Sequence, residues 1–252
     1  MLKALFFKGR ERKGCGPVPV LAVLFSVLVT FYPGPPARAA SFKEGVSGVV
    51  VMYHRFGESR YPSTSITLDQ FEAQLNELKT GPYKVLPLPG IVSALRAGKP
   101  LPDRTVGLSI DDAYLSVYTE AWPRLKAAGL PFTLFVATDP VDQGLPGYMS
   151  WDQIREMVAG GVTIASQTAS HPHLPNISAK QAEGEIERSN ARFEAELGLR
   201  PGLFAYPFGE AGRKIEGVVE RAGFTAAFGQ HSGAIGGELT ANPVVRKLTF
   251  TG

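Results

Sequence analysis

The chain has 252 residues, enough for one large domain or two small ones. Its formal charge of +3 is set by the N-terminus, where Lys3, Lys8, Arg10, Arg12 and Lys13 precede an apolar stretch from Val18 to Tyr32. Ala37-Arg38-Ala39 then offers small residues at a signal-peptidase spacing, and cleavage after Ala39 would remove six basic residues and the acid Glu11, turning +3 into −2 and excluding a basic nucleic-acid footprint. A signal peptide over 1–39, a mature domain over 40–252 and export to the periplasm or the extracellular space are expected. An uncleaved membrane anchor is the alternative, although the apolar stretch is short for a span and Pro33-Gly-Pro-Pro36 ends it. The single cysteine, Cys15, leaves with the signal, so disulfides and thiolate ligands are not expected.

From there apolar runs alternate with amphipathic segments. Gly48 to Tyr53 reads as a strand. A helix over Leu68 to Lys79 follows, with Leu68, Phe71, Leu75 and Leu78 on one face and a capping box from Thr67 and Gln70. Tyr83 to Leu86 is a short strand, Ile91 to Ala97 a short helix and Thr105 to Ile110 a strand. Tyr118 to Ala128 is helical, with Pro123 tolerable only near its first turn and Gly129 as its stop. Phe132 to Val136 is a strand, Ala137 to Met149 a loop, and Ser150 caps a helix over Trp151 to Ala159. Val162 to Ala165 is a strand, Ser178 and Gln181 open a long helix to about Leu197, and Leu203 to Tyr206 is a strand. Arg213 to Ala222 is a helix and Phe224 to Phe228 a strand. About seven strands with intervening helices call for a parallel α/β sheet, because each return needs a crossover; a barrel and an open sheet both fit.

Three polar clusters begin where apolar runs end: Ser109-Ile-Asp111-Asp112, Ser166-Gln167-Thr-Ala-Ser-His171-Pro-His173, and Phe204-Ala-Tyr206-Pro207-Phe208-Gly209. Parallel strands bring such ends to one rim. Side chains alternate along a strand, so both aspartates can serve one site only if the chain leaves the strand there. A helix cap is the plainer explanation of one aspartate; two in a row favour chemistry. Asp, Gln and His together suit a hard or borderline metal. Gln167 and His171 are four apart and would share a face if their turn were helical.

These clusters resemble the motifs of the polysaccharide deacetylases with a NodB-homology domain, which run Thr-Phe-Asp-Asp-Gly, His-Ser/Thr-x-x-His and Arg-x-Pro-Tyr in that order. The resemblance covers about Val49 to Arg246, and Val51-Met-Tyr-His54 with Tyr61-Pro-Ser-Thr is similar to the branch of exported poly-N-acetylglucosamine deacetylases. It implies a distorted (β/α)7 barrel with its active site at the C-terminal rim. It also implies hydrolysis of N-acetyl groups from an N-acetylglucosamine-containing polysaccharide, releasing acetate. Asp111 would be the general base, and Asp112, His171 and Gln167 would hold a divalent metal, zinc first, with cobalt, nickel, manganese or iron(II) as alternatives. The backbone N–H of Phe208 would hold the oxyanion, and His54, Tyr206, Pro207 and Phe208 would meet the sugar.

The sequence departs from the pattern at several positions. Gln167 stands where the first metal-binding histidine is expected, and an amide oxygen is a poorer zinc ligand than imidazole; His54 is a candidate replacement. Ala205 replaces the arginine beside the catalytic aspartate, leaving Arg55 or Arg246 as possible cations, and Ala113 replaces the glycine of the first motif. The late Leu-x-His motif is not visible, so His231 is the candidate general acid, while His173 reads as a surface residue. The chain stops soon after Arg246, so a late element of the domain is expected to be missing. Two other readings compete: a degenerate, carbohydrate-binding relative, and a serine hydrolase using Ser232 or Ser170, which lacks a Gly-x-Ser-x-Gly elbow.

Overall fold

The computed structural model describes residues 47–236, 244–245 and 248–249. The expected signal peptide, Cys15 and Arg246 lie outside them. The strands are β1 (Gly48–Tyr53), β2 (Arg55–Phe56), β3 (Ser65–Ile66), β4 (Lys84–Val85), β5 (Thr105–Asp111), β6 (Thr133–Val136), β7 (Thr163–Ser166), β8 (Leu203–Ala205), β9 (Ala226–Phe228), β10 (Val244–Val245) and β11 (Leu248–Thr249). The helices are α1 (Leu68–Thr80), α2 (Leu88–Arg96), α3 (Trp122–Ala128), α4 (Thr138–Asp142), α5 (Trp151–Ala159), α6 (Ala179–Leu197) and α7 (Arg213–Arg221). The main sheet runs β10-β9-β8-β7-β6-β5-β1-β11, with β4 also on β5, and every pairing in it is parallel. Its two ends, β10 and β11, are separated by only two residues of chain. A path whose ends are that close must curl, so of the barrel and the open sheet that the strand pattern allows, the sheet forms the distorted barrel implied by the family resemblance.

Side-chain alternation divides the sheet into two faces. Val51, Leu108, Ile110, Leu134, Val136 and Ile164 point outward to a layer that includes Phe71 and Leu75 of α1, Leu125 of α3, Ile154 and Met157 of α5, and Phe193 of α6. Val50, Phe135, Ala165, Ala205 and Phe228 point inward with Leu88, Ile91 and Leu95 of α2, so α2 plugs the curl. Gly107 makes room for it: a Cβ there would stand 2.9 Å from Leu88 Cδ1. Phe204, Tyr206 and Ala227 point outward again, against Ile215, Val218 and Val219 of α7.

Local signals start and stop the helices. Thr67–Gln70, Ser150–Gln153 and Ser178–Gln181 are all complete capping boxes, each satisfying two otherwise orphaned backbone N–H groups. Gly129 ends α3 in the left-handed region at φ 66°. Helix α2 starts three residues before the expected Ile91, because Pro89 sits in its first turn, where proline costs no hydrogen bond. The expected helix from Tyr118 is a π-helical turn, Val117–Ala121, running into α3. Part of the expected loop Ala137 to Met149 is α4, with Pro140 again in a first turn. Among the described residues, no helix is long and apolar enough to cross a membrane.

Candidate active site

Each side of the Asp111–Asp112 bond follows a different rule. Asp111 is the last residue of β5 and continues the inward parity of Gly107 and Ser109; it is only 1% exposed. Asp112 leaves the strand at φ 74°, followed by Ala113 at φ 55°. Left-handed backbone costs a non-glycine residue roughly 1–2 kcal/mol, so neighbours must hold this turn. The N–H of Asp112 donates to the carbonyl of Phe135 (3.0 Å), the N–H of Leu115 to Gly147 (2.8 Å) and that of Met149 to Ala113 (3.0 Å). The chain does leave the strand between the aspartates, and the turn brings Asp112 into a cleft of about 540 Å³.

The loop after β7 reaches the same place without a helical turn. Thr168 and His171 are both left-handed, at φ 70° and 56°, so the expected helical face shared by Gln167 and His171 does not exist. Tertiary bonds shape the loop instead. Carbonyls of Thr168 and Ala169 accept from the N–H groups of Thr138 (3.3 Å) and Asp139 (2.9 Å) at the start of α4. Thr168 Oγ1 accepts from the N–H of His171 (3.1 Å), and Glu185 of α6 accepts from the N–H of Ser170 (2.8 Å). Both residues still converge on Asp112. Gln167 is fully buried and its Oε1 accepts from the N–H of Asp112 (3.3 Å). His171 Nε2 stands 3.3 Å from Asp112 Oδ1. That oxygen is buried without a hydrogen bond, so the approach is close but not aligned as one; Gln167 Nε2 is likewise buried without a partner.

After β8, Tyr206 and Phe208 part company. Tyr206 is 1% exposed and packs edge-on against Phe204 at 5.3 Å. Burial pushes its hydroxyl pKa up. Its expected contact with sugar is therefore corrected: parity with Phe204 turns the ring into the outer core. Pro207 is buried as well, which withdraws its side chain from a ligand. Phe208 is 46% exposed, left-handed at φ 57°, and lines the cleft.

The remaining cleft walls come from the ends of other strands. His54 follows β1, Ala137 follows β6 and Gln230 follows β9. Gly209, at φ 70°, lets Gln230 in, since a Cβ there would stand 2.5 Å from Gln230 Cβ. Gln230 carried no sequence signal; it follows only from the positions of the strand ends. His231 is exposed, and its neighbour Gln230, not His231, is among the cleft-lining residues. Tyr114 and Tyr148 form another wall, ring centroids 4.9 Å apart. Burial first, and then the charge of Asp112, push the Tyr114 hydroxyl pKa far up, so it stays protonated and able to donate. Arg55 lies between the rings of Tyr61 (4.0 Å) and Tyr114 (3.3 Å) and donates to Glu58 (2.7 Å), so its charge is already matched by a carboxylate other than Asp111. Among the described residues, no group of three His, Cys, Asp or Glu side chains could hold a metal.

The polysaccharide deacetylase sequence profile matches residues 98–227, just over half of the chain. The chain belongs to the polysaccharide deacetylase family. The matched segment carries all three rim motifs of this deacetylase-family chain. YxkH of Bacillus subtilis (strain 168), a protein named for the same family, is 24% identical over 185 residues, covering 73% of this chain and 65% of its own length. This chain thus spans just under two thirds of that relative. The poly-beta-1,6-N-acetyl-D-glucosamine N-deacetylase of Staphylococcus aureus (strain MRSA252) is 24% identical over 231 residues, covering 79% and 77%. Among solved structures, IcaB from Ammonifex degensii superposes with a TM-score of 0.74 at 28% identity, covering 82% of this chain and 93% of its own. The Streptococcus pyogenes deacetylase PplD, in complex with acetate, gives 0.75 at 22% identity over the same shares and supports the fold.

Proposed function

We propose that this family member is an exported, metal-dependent N-deacetylase of an N-acetylglucosamine-containing polysaccharide, its first 39 residues being the export signal. The observation that carries the reading is the buried Oδ1 of Asp112, without a hydrogen bond, facing His171 Nε2 at 3.3 Å where both residues line the cleft, one residue after Asp111 in the chain. Two ligand atoms on a tetrahedral zinc, each about 2.0–2.1 Å from the ion, stand roughly 3.3 Å apart. Asp112 and His171 therefore fit a divalent cation, and the Gln167 oxygen keeps a second lone pair that could join them. Such a cation, when bound, polarises the acetyl carbonyl and lowers the pKa of water toward ~7. Asp111 takes the proton of the attacking water as general base. The N–H of Phe208 donates to the carbonyl oxygen as charge develops on it. His54 lines the cleft and contacts the sugar; Asp111 gives the proton it took to the amide nitrogen as the C–N bond breaks, so acetate leaves and a free amine remains. The Staphylococcus aureus relative, named a poly-beta-1,6-N-acetyl-D-glucosamine N-deacetylase, supports a glucosamine polymer as the substrate class.

A second reading, a carbohydrate-binding relative without turnover, is favoured by one observation: only a carboxylate and an imidazole, with a neutral amide, replace a full set of strong ligands. One experiment separates them. Purified protein loaded with zinc is assayed for acetate release on poly-N-acetylglucosamine, chitooligosaccharides and peptidoglycan, with glycan binding measured in parallel. Acetate release that Asp111→Asn removes supports the enzyme; binding without release supports the lectin-like reading.

A further inference from the structure

The rings around Phe208 join two of the three rim loops. Phe208, after β8, lies parallel to His173 of the β7 loop, centroids 3.9 Å apart and planes 8° apart. It also meets His171 at a steep angle, 4.6 Å and 66°. His173 is fixed a second time by Glu210, two residues past Phe208, whose Oε2 lies 2.9 Å from His173 Nδ1. An ionised carboxylate can only accept, so the shared hydrogen belongs to Nδ1. The β8 loop thus grips one imidazole with both a ring and a carboxylate. Half-open pairs of this kind (52% and 40% exposed side chains) contribute little to global stability, so what the pair does must be sought locally. Locally it holds Phe208, whose left-handed backbone needs holding, and ties it to the loop that carries His171.

We propose that His173 and Glu210 are positioning residues: they clasp Phe208 and lock the loops after β7 and β8 in register. The clasp keeps the Phe208 N–H aimed at the acyl oxygen while His171 stays opposite Asp112. Its effect on rate rests on the deacetylase reading; its effect on loop order rests on the ring and carboxylate geometry alone.

The test uses His173→Ala, Glu210→Ala, the double variant and Glu210→Gln, which keeps an acceptor for Nδ1–H. Amide hydrogen exchange is followed in the full-length protein beside acetate release. Glu210→Ala should speed exchange across 168–174, a loop to which it does not belong, and His173→Ala across 206–211. With deacetylase activity present, kcat should fall about tenfold with KM nearly constant, as expected when a transition-state donor is misplaced. The double variant should be no worse than His173→Ala, and Glu210→Gln should restore most of the rate. Unchanged exchange in the opposite loop overturns the clasp, as does additive loss in the double variant. If the parent protein releases no acetate yet the loops loosen together, the deacetylase reading fails and the clasp stands. If the parent is active and the variants match it in rate and exchange, the clasp fails and the deacetylase reading stands.

Discussion

The wall helices of the barrel and the loops at its rim take their conformations from different sources. Helices α1, α5 and α6 each open on a capping box written within four consecutive residues. The rim is the reverse. Of the six non-glycine residues with positive φ among those described, Asp112, Ala113, Thr168, His171 and Phe208 all lie in the three motif loops, and only Arg104 lies elsewhere. Asp and His enter that region more readily than most residues, but no local preference puts Ala113, Thr168 and Phe208 there. Bonds from other elements do: Phe135 to Asp112, Thr138 to Thr168, Asp139 to Ala169. The contrast teaches that the wall would form from local information, whereas the site exists only once the wall has assembled around it. Strain collected at a rim held by a regular frame is the distribution expected of a working site.

Substitutions can break that contrast or sharpen it. Asp111→Asn, nearly isosteric at the rim, should lower acetate release by about a thousandfold or more, with thermal unfolding and zinc binding close to the parent. Equal loss of metal binding would contradict separate tasks for the two aspartates. Phe193→Ala belongs to the wall: the ring is fully buried and meets Trp151 edge-on at 6.0 Å. Denaturant unfolding should report a loss of about 3–5 kcal/mol, while the fraction still folded keeps its kcat. Gln167→His replaces an amide whose Nε2 is buried without a partner. Equilibrium dialysis should show zinc held about tenfold more tightly if this position faces the ion, and no change would place it outside the coordination sphere. Ser150→Ala removes one half of the α5 capping box and should cost about 1 kcal/mol in a chemical melt, with no change in turnover.

The same contrast explains what could be read from the sequence. All seven expected strands are present, six of them in runs of three residues or more and β4 in only two, and Thr67, Ser150 and Ser178 announce their helices outright. The pairs β2–β3, β10 and β11 went unread because two residues have no period. Two helices differ from the expected bounds where a proline sits in the first turn, Pro89 in α2 and Pro140 in α4. At the site, the chain turns out of β5 between Asp111 and Asp112, the departure that strand parity requires if both are to face one cleft. Tyr206 failed where that rule was not applied: Phe204 and Tyr206 are two apart, so the tyrosine follows the phenylalanine outward. The helical link between Gln167 and His171 failed because Thr168 adopts a left-handed conformation that its own neighbours in the chain do not specify. His231, chosen for its residue type, sits in the open, and Gln230 beside it lines the cleft.

The closing stretch of the barrel has one more implication. Strands β10 and β11 cover the free sides of β9 and β1, and they do so with neighbouring bits of one chain. A polypeptide cut before Val244 would bare both seams at once, each a parallel row of unsatisfied amides and carbonyls beside apolar side chains. Sticky margins of that kind recruit other chains. The product of such a cut would be oligomers or precipitate, and an expression boundary belongs beyond Thr249.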